Sequence, residues 1–238
     1  MPVRLNARTL LDYRCTLFYP VMTHPQPTNL HISPEAESFL QQLEAFGIIQ
    51  KGHFEYKKTA PDGRHYHGEY FINFRLLTTA QEQALVPFYE RAIEHWFGDR
   101  DDLLIVGVAM GSLLLPKVIQ LRLFESKGIE YAYAEKRNGI LGIFDEQAQK
   151  VRGKHLLFIE DVCNNGTSLA QLNTALAEEQ ATLGHTGYSV LYGVHRGHTF
   201  PAEPAGQIYA LGMLYAPAYA PDDMPEHLKA VPLKKYKK

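Results

Sequence analysis

The spacing of apolar residues changes character near residue 103. Before it, Phe39, Leu40, Leu43 and Phe46 fall at helical spacing. Ser33-Pro34-Glu35-Ala36-Glu37 reads as the start of that helix: a capping hydroxyl, a proline at the first helical position and acids in the first turn. Gly47 predicts its end. From His53 to Arg75 the pattern is that of a β-hairpin. Phe54 and Tyr56 alternate with polar residues, Pro61-Asp62-Gly63 marks a turn, and Tyr70-Phe71-Ile72-Asn73-Phe74 resumes strand character. Thr79 to Trp96 predicts an amphipathic helix with Leu85, Phe88, Ala92 and Trp96 near one face.

Beyond residue 103 short apolar runs alternate with helical patterns. Leu103 to Val108 is wholly apolar, as strands buried on both faces are. Leu113 to Phe124 predicts a helix, Ile129 to Ala134 a strand, His155 to Ile159 a strand and Thr167 to Glu179 a helix. Tyr188 to Val194 and Ile208 to Leu214 complete the strands. This alternation predicts an α/β fold: a central, mostly parallel sheet with helices on both faces, and an N-terminal helix and β-hairpin hood beside it. Such sheets bind ligands at the carboxyl ends of their strands. We divide the chain into an extended arm (1–33), the hood region (34–98), the core (99–220), and a C-terminal helix with a lysine-rich tail (221–238).

Composition narrows the function classes. At about 150 residues per domain, 238 residues allow one large domain or one with an added subdomain. Twelve Phe and 14 Tyr supply core material and argue against general disorder. The longest apolar run, Leu103 to Pro116, falls short of the roughly 20 residues that span a bilayer. Asp12 and Arg14 interrupt the early apolar stretch, so no secretory signal is expected. The cysteines, Cys15 and Cys163, suit a reducing cytoplasm. A net charge of −2 gives no support to nucleic-acid binding.

The chemistry concentrates after the third core strand, in Leu156-Leu157-Phe158-Ile159-Glu160-Asp161-Val162-Cys163-Asn164-Asn165-Gly166-Thr167-Ser168. A buried strand leads to two adjacent carboxylates, then to a short polar loop, then to a helix. Backbone N–H groups at a helix start carry partial positive charge and cradle phosphate. Gly166 lets backbone approach without an intervening Cβ. Asn164, Asn165, Thr167 and Ser168 surround it with polar groups. Carboxylates cannot share that anion, but they can accept hydrogen bonds from vicinal sugar hydroxyls or sit near hydrated Mg²⁺. A ligand with both features is a ribose 5-phosphate.

Glu160-Asp161-Val162 followed by Asn-Gly-Thr-Ser resembles the PRPP-binding motif of the type I phosphoribosyltransferases, within them the orotate branch. The resemblance covers roughly residues 34 to 215. It implies that Glu160 and Asp161 hold the ribose hydroxyls, with Mg²⁺ indirectly, and that residues 164–168 hold the 5-phosphate. It further implies that Ala109, Met110 and Gly111 bind pyrophosphate with Lys136 and Arg137, Lys136 being catalytic. Arg64, Tyr70, Phe71 and Arg196 would face the base. The implied reaction transfers ribose 5-phosphate from PRPP to a pyrimidine, orotate or an analogue, in a cytoplasmic homodimer that uses Mg²⁺.

The copy also departs from the pattern. Asn164 stands where threonine is usual, Gly111-Ser112 lacks the usual lysine, and Glu135-Lys136-Arg137 exchanges the outer charges of the basic segment. The segment that would form a mobile catalytic loop reads Asn138-Gly139-Ile140-Leu141-Gly142-Ile143-Phe144, apolar and without a cation. These departures leave two alternatives open: transfer to a different base, or a PRPP- or nucleotide-binding regulator without catalysis. The apolar run would need shelter from water, which a second subunit would supply. His65 and His67 share a strand face but lack the further ligands of a zinc site. Cys163 beside Asp161 reads as a packing residue, since a neighbouring carboxylate disfavours the thiolate.

Overall fold

The computed structural model describes residues 29–108, 114–137, 140–144, 146–163, 171, 176, 183–197 and 206–234. Its strands are β1 (Leu30–Ile32), β2 (Ile49–Thr59), β3 (His65–Ile72), β4 (Leu103–Val108), β5 (Glu130–Arg137), β6 (Ile140–Gly142), β7 (His155–Cys163), β8 (Gly187–His195), β9 (Gln207–Met213), β10 (Ala218–Tyr219) and β11 (Leu233–Lys234). The longer helices are α1 (Ala36–Ala45), α2 (Thr79–Phe97) and α3 (Leu114–Lys127).

The central sheet runs β1-β9-β8-β7-β4-β5-β6. Its first six strands are parallel, and β6 returns antiparallel to β5. One face packs against all three longer helices, through Phe39, Leu43, Leu85, Ile93, Leu115 and Ile119. The other face buries Leu104, Val106, Phe158, Val190, Leu176 and Leu183. Every residue of β4 is buried, as its unbroken apolar run requires of a central parallel strand.

The second sheet, ordered β10-β3-β2-β11, is the hood. The β2–β3 hairpin is the one expected from sequence. Its edges are not: β10 lies against β3 and β11 against β2, so the C-terminal segment completes the hood. Likewise β1 comes from the end of the expected arm and adds an edge strand beside β9. Ile49, Tyr70 and Phe74 join the helices' apolar cluster, so hood and sheet share one core.

One helix start differs from expectation, and the other, at Thr79, is as expected. Ser33 Oγ accepts from Glu35 N at 3.2 Å and closes a turn, and α1 proper begins at Ala36. Thr78 and Gln81 form a reciprocal capping box that fixes α2 at Thr79. The buried stripe of α2 is Leu85, Val86, Tyr89, Ala92, Ile93 and Phe97. It is rotated from the expected stripe, leaving Phe88 and Trp96 only partly buried and Tyr89 fully enclosed.

Candidate active site

The strand ahead of the acidic pair was expected to end at Ile159, but β7 continues to Cys163. Val162 and Cys163 remain in register with Val194 and His195 of β8. Glu160 and Asp161 are therefore strand residues and leave the sheet on opposite sides. Glu160 lies with Tyr192 and Cys163 on one face. Asp161 lies with Tyr89 and Arg75 on the other. Both are half-buried at the carboxyl end of a central strand.

Burial raises the Asp161 carboxyl above its ordinary value. The N–H of Val162, donating to Oδ1 at 2.8 Å, opposes this, and so does the charge of Arg75. Arg75 stands in a short 3-10 turn, Phe74–Leu76, between the hairpin and α2. It is a cation that the sequence reading missed. Its only sequence signal is position, directly after the hairpin, and nothing local ties it to a residue 86 places on.

The expected phosphate loop, Asn164, Asn165, Gly166, Thr167 and Ser168, and the expected pyrophosphate loop, Ala109, Met110 and Gly111, lie outside the described residues. The strands that lead into them are adjacent: β4 pairs with β7 up to Gly107 opposite Ile159. Lys136 and Arg137 occupy the end of β5, and the structure describes their backbone. Glu135, Lys136 and Arg137 pair with Gly142, Leu141 and Ile140. The expected mobile loop thus opens with an antiparallel strand pair. Asn138-Gly139 between its strands is the dipeptide most favoured in two-residue hairpin turns, a signal the sequence reading left unused. Ile143, expected to need a second subunit for shelter, is buried in the core of its own chain.

The expected base-facing residues divide. Arg64 stands at the exposed turn of the hood, where Asp62 and Asp222 grip its guanidinium. Nε meets Asp62 at 2.7 Å, and Nη1 and Nη2 meet the two Asp222 oxygens at 3.0 and 2.5 Å. Tyr70 packs into the shared core, with the Lys51 ammonium 5.7 Å from its ring centre. Phe71, on the opposite side of the strand, lies 5.6 Å from Phe54. Arg196, one residue past β8, is buried. Its Nη2 donates to Tyr56 Oη at 2.9 Å and to the Ala216 carbonyl at 2.6 Å, and its plane lies 5.1 Å from the Tyr56 ring centre.

Tyr56 is the second residue the sequence reading left without a role. Its hydroxyl accepts from Arg196 and donates to the Tyr70 carbonyl at 2.6 Å. It crosses β3 directly over Gly68, where a side chain would collide with the phenol. Arg196 is thereby drawn to the hood while its backbone N–H donates to Cys163 O at 3.2 Å, at the end of the acid-bearing strand. Of the expected site residues, Glu160 and Asp161 stand near the end of β7, and Arg196 follows the end of the neighbouring β8. The described partners of Arg64 are instead Asp62 and Asp222.

Among the described residues no group of three or more His, Cys, Asp or Glu side chains is placed to hold a metal ion. No described helix is long and apolar enough to cross a membrane.

No family model matches the chain, and no curated protein matches it in sequence. Solved structures do. The chain is similar to an orotate phosphoribosyltransferase from Francisella tularensis, at 21% identity over 74% of this chain and 82% of that one, with a TM-score of 0.50. It is similar to one from Aeropyrum pernix, at 20% identity over 73% and 92%, with a TM-score of 0.50. An adenine phosphoribosyltransferase from Leishmania donovani shares 11% identity over 92% of both chains, with a TM-score of 0.52. What is shared at these identities is the fold, that of the type I phosphoribosyltransferases.

Proposed function

We propose that this chain is a phosphoribosyltransferase that moves ribose 5-phosphate from PRPP to a nitrogenous base and releases pyrophosphate. The observation that carries this reading is the placement of Glu160 and Asp161. They stand near the carboxyl end of a central parallel strand, on the type I phosphoribosyltransferase fold, separated by three residues from the Asn-Gly-Thr-Ser segment. Ligands of open α/β sheets bind at that end.

The reaction is a displacement at the anomeric carbon. A base nitrogen attacks as pyrophosphate departs, through an oxocarbenium-like state, so catalysis rests on positioning and on charge stabilisation. Glu160 and Asp161 accept hydrogen bonds from the ribose hydroxyls and orient the ring. Ionised Asp161 also favours positive charge growing on that ring. Lys136 and Arg137, whose backbone ends β5, are the cations we assign to departing pyrophosphate. Mg²⁺, when bound, would neutralise pyrophosphate charge. The two carboxylates would fit it as hard oxygen partners acting through water.

For the base, orotate is our first assignment, from the motif likeness and the Arg196 position. One observation favours a second reading, a base without a carboxylate. Arg64 is already occupied by two aspartates, and Arg196 by Tyr56 and Ala216.

Two measurements test the proposal. Calorimetry with PRPP and Mg²⁺ should show binding that the Glu160→Gln/Asp161→Asn double variant abolishes; unchanged affinity would refute the ribose role. A mass-detected assay of PRPP against a panel of bases then decides the rest. Turnover with orotate selects the first reading and turnover with another base the second. Binding without pyrophosphate release would reduce the chain to a PRPP-binding regulator.

A further inference from the structure

Two tyrosines stand behind the acidic pair, one on each face of the sheet. Tyr89, on α2, is 0% exposed, and its hydroxyl has no hydrogen-bond partner among the described residues. A Cβ built on Gly193 of β8 would lie 2.7 Å from Tyr89 Oη and 2.8 Å from the Asp161 carbonyl, so the phenol reaches the strand at the acidic residue itself. Tyr192, on β8, is also 0% exposed, and the acceptor beside its hydroxyl is the Cys163 thiol, a weak one. Tyr192 stands in register opposite Glu160.

Stability does not account for these hydroxyls. A buried O–H without a good acceptor costs about 1–3 kcal/mol, and phenylalanine would keep the packing without that cost. Each hydroxyl is a donor. Each stands beside an ionised group that only accepts, Asp161 for Tyr89 and Glu160 for Tyr192. One oxygen of Asp161 is held by the Val162 N–H, which leaves the other to be directed.

We propose that Tyr89 and Tyr192 are positioning residues, whose hydroxyls donate to Asp161 and Glu160 and lock both carboxylates when the pair turns to grip the ribose hydroxyls. The inference rests on the phosphoribosyl reading above. It assigns the residue that would hold each carboxylate on its own side of the strand.

The test compares the wild-type chain with Tyr89→Phe and Tyr192→Phe. Calorimetry measures binding of PRPP with Mg²⁺, of ribose 5-phosphate and of inorganic phosphate, and urea unfolding measures stability. Each variant should lose about tenfold in affinity for the two sugar phosphates, a loss of about 1.4 kcal/mol. Affinity for inorganic phosphate should stay unchanged, and the urea midpoint should not fall. In protein labelled with ¹³C at tyrosine Cζ, the two resonances that vanish in the variants should shift when PRPP is added. Wild-type affinities in both variants, or equal losses for sugar phosphates and phosphate together with a lower urea midpoint, would overturn the positioning role alone. If the wild-type chain binds no PRPP, the functional reading falls and this inference falls with it.

Discussion

Asp161 shows how one residue trades stability for a site. Its folded carboxyl titrates above its ordinary value of 3.8 because burial outweighs the Val162 N–H and Arg75. A carboxyl of this kind binds its proton more tightly when folded, so its ionisation costs stability as pH rises from the unfolded value through the folded one. Asp161→Asn removes that charge and keeps an oxygen for the Val162 N–H. The variant should therefore exceed the wild type in urea midpoint at pH 7, and the two should converge below about pH 3, where the aspartic acid is protonated in both folded and unfolded chains. A lower midpoint at pH 7 would show that Arg75 outweighs burial. The acidic pair itself was legible in the sequence, because carboxylates next to a glycine-containing polar loop are a local signal. Arg75 was not, because a long-range charge contact leaves no trace in its neighbours.

At the level of elements, β8 carries a tight constraint. Gly193 faces Tyr89 Oη, the Asp161 carbonyl and Phe74 Cζ, all within 2.9 Å of where a Cβ would stand. Backbone and two enclosed rings cannot all yield, so Gly193→Ala should cost about 1–3 kcal/mol in urea unfolding. At the other end of the strands, His155 on β7 is bonded to Ser189 on β8 at 2.9 Å. Burial, aided by Arg100, pushes its imidazole down to about 4. A neutral folded histidine is stable above its unfolded value near 6.5 and loses that advantage as pH falls toward 4. The urea midpoint should therefore fall across that window, and His155→Phe should remove part of the slope. An unchanged slope would place the loss in other groups. Strand and helix types were readable from periodicity. The extension of β7 through its acids was not, because ladder pairing with β8 overrides a polar local sequence.

For the whole molecule, Arg196 is the joint between hood and sheet. Its backbone belongs to the end of β8, and its guanidinium binds Tyr56 on β2 and the Ala216 carbonyl ahead of β10. Lysine carries charge at a point and cannot reproduce that fork. Arg196→Lys should cost about 1.5–3 kcal/mol, the range for buried hydrogen bonds to a charged group. It should also speed amide exchange in β2 and β3 more than in β4. A double-mutant cycle with Tyr56→Phe checks the assignment, since additive losses would mean that the two residues act separately. The case for a homodimer no longer draws on Ile143, which is covered by its own chain. Leu121 and Phe124 on α3 remain exposed, and sedimentation of the intact chain measures whether a second copy is present.

Sequence alone determined the alternation of strands and helices along β4, α3 and β5, the buried parallel character of β4, the hairpin of the hood and the acidic pair. Each is a local pattern, written in periodicity or in adjacent residue types. Only the tertiary structure decided that the chain's C-terminal segment edges the hood, that Arg64 and Arg196 are already engaged, and that a tyrosine backs each carboxylate. Those are meetings of residues far apart in the chain, selected by sheet order and core packing, and such energies are settled only when the whole chain closes on itself.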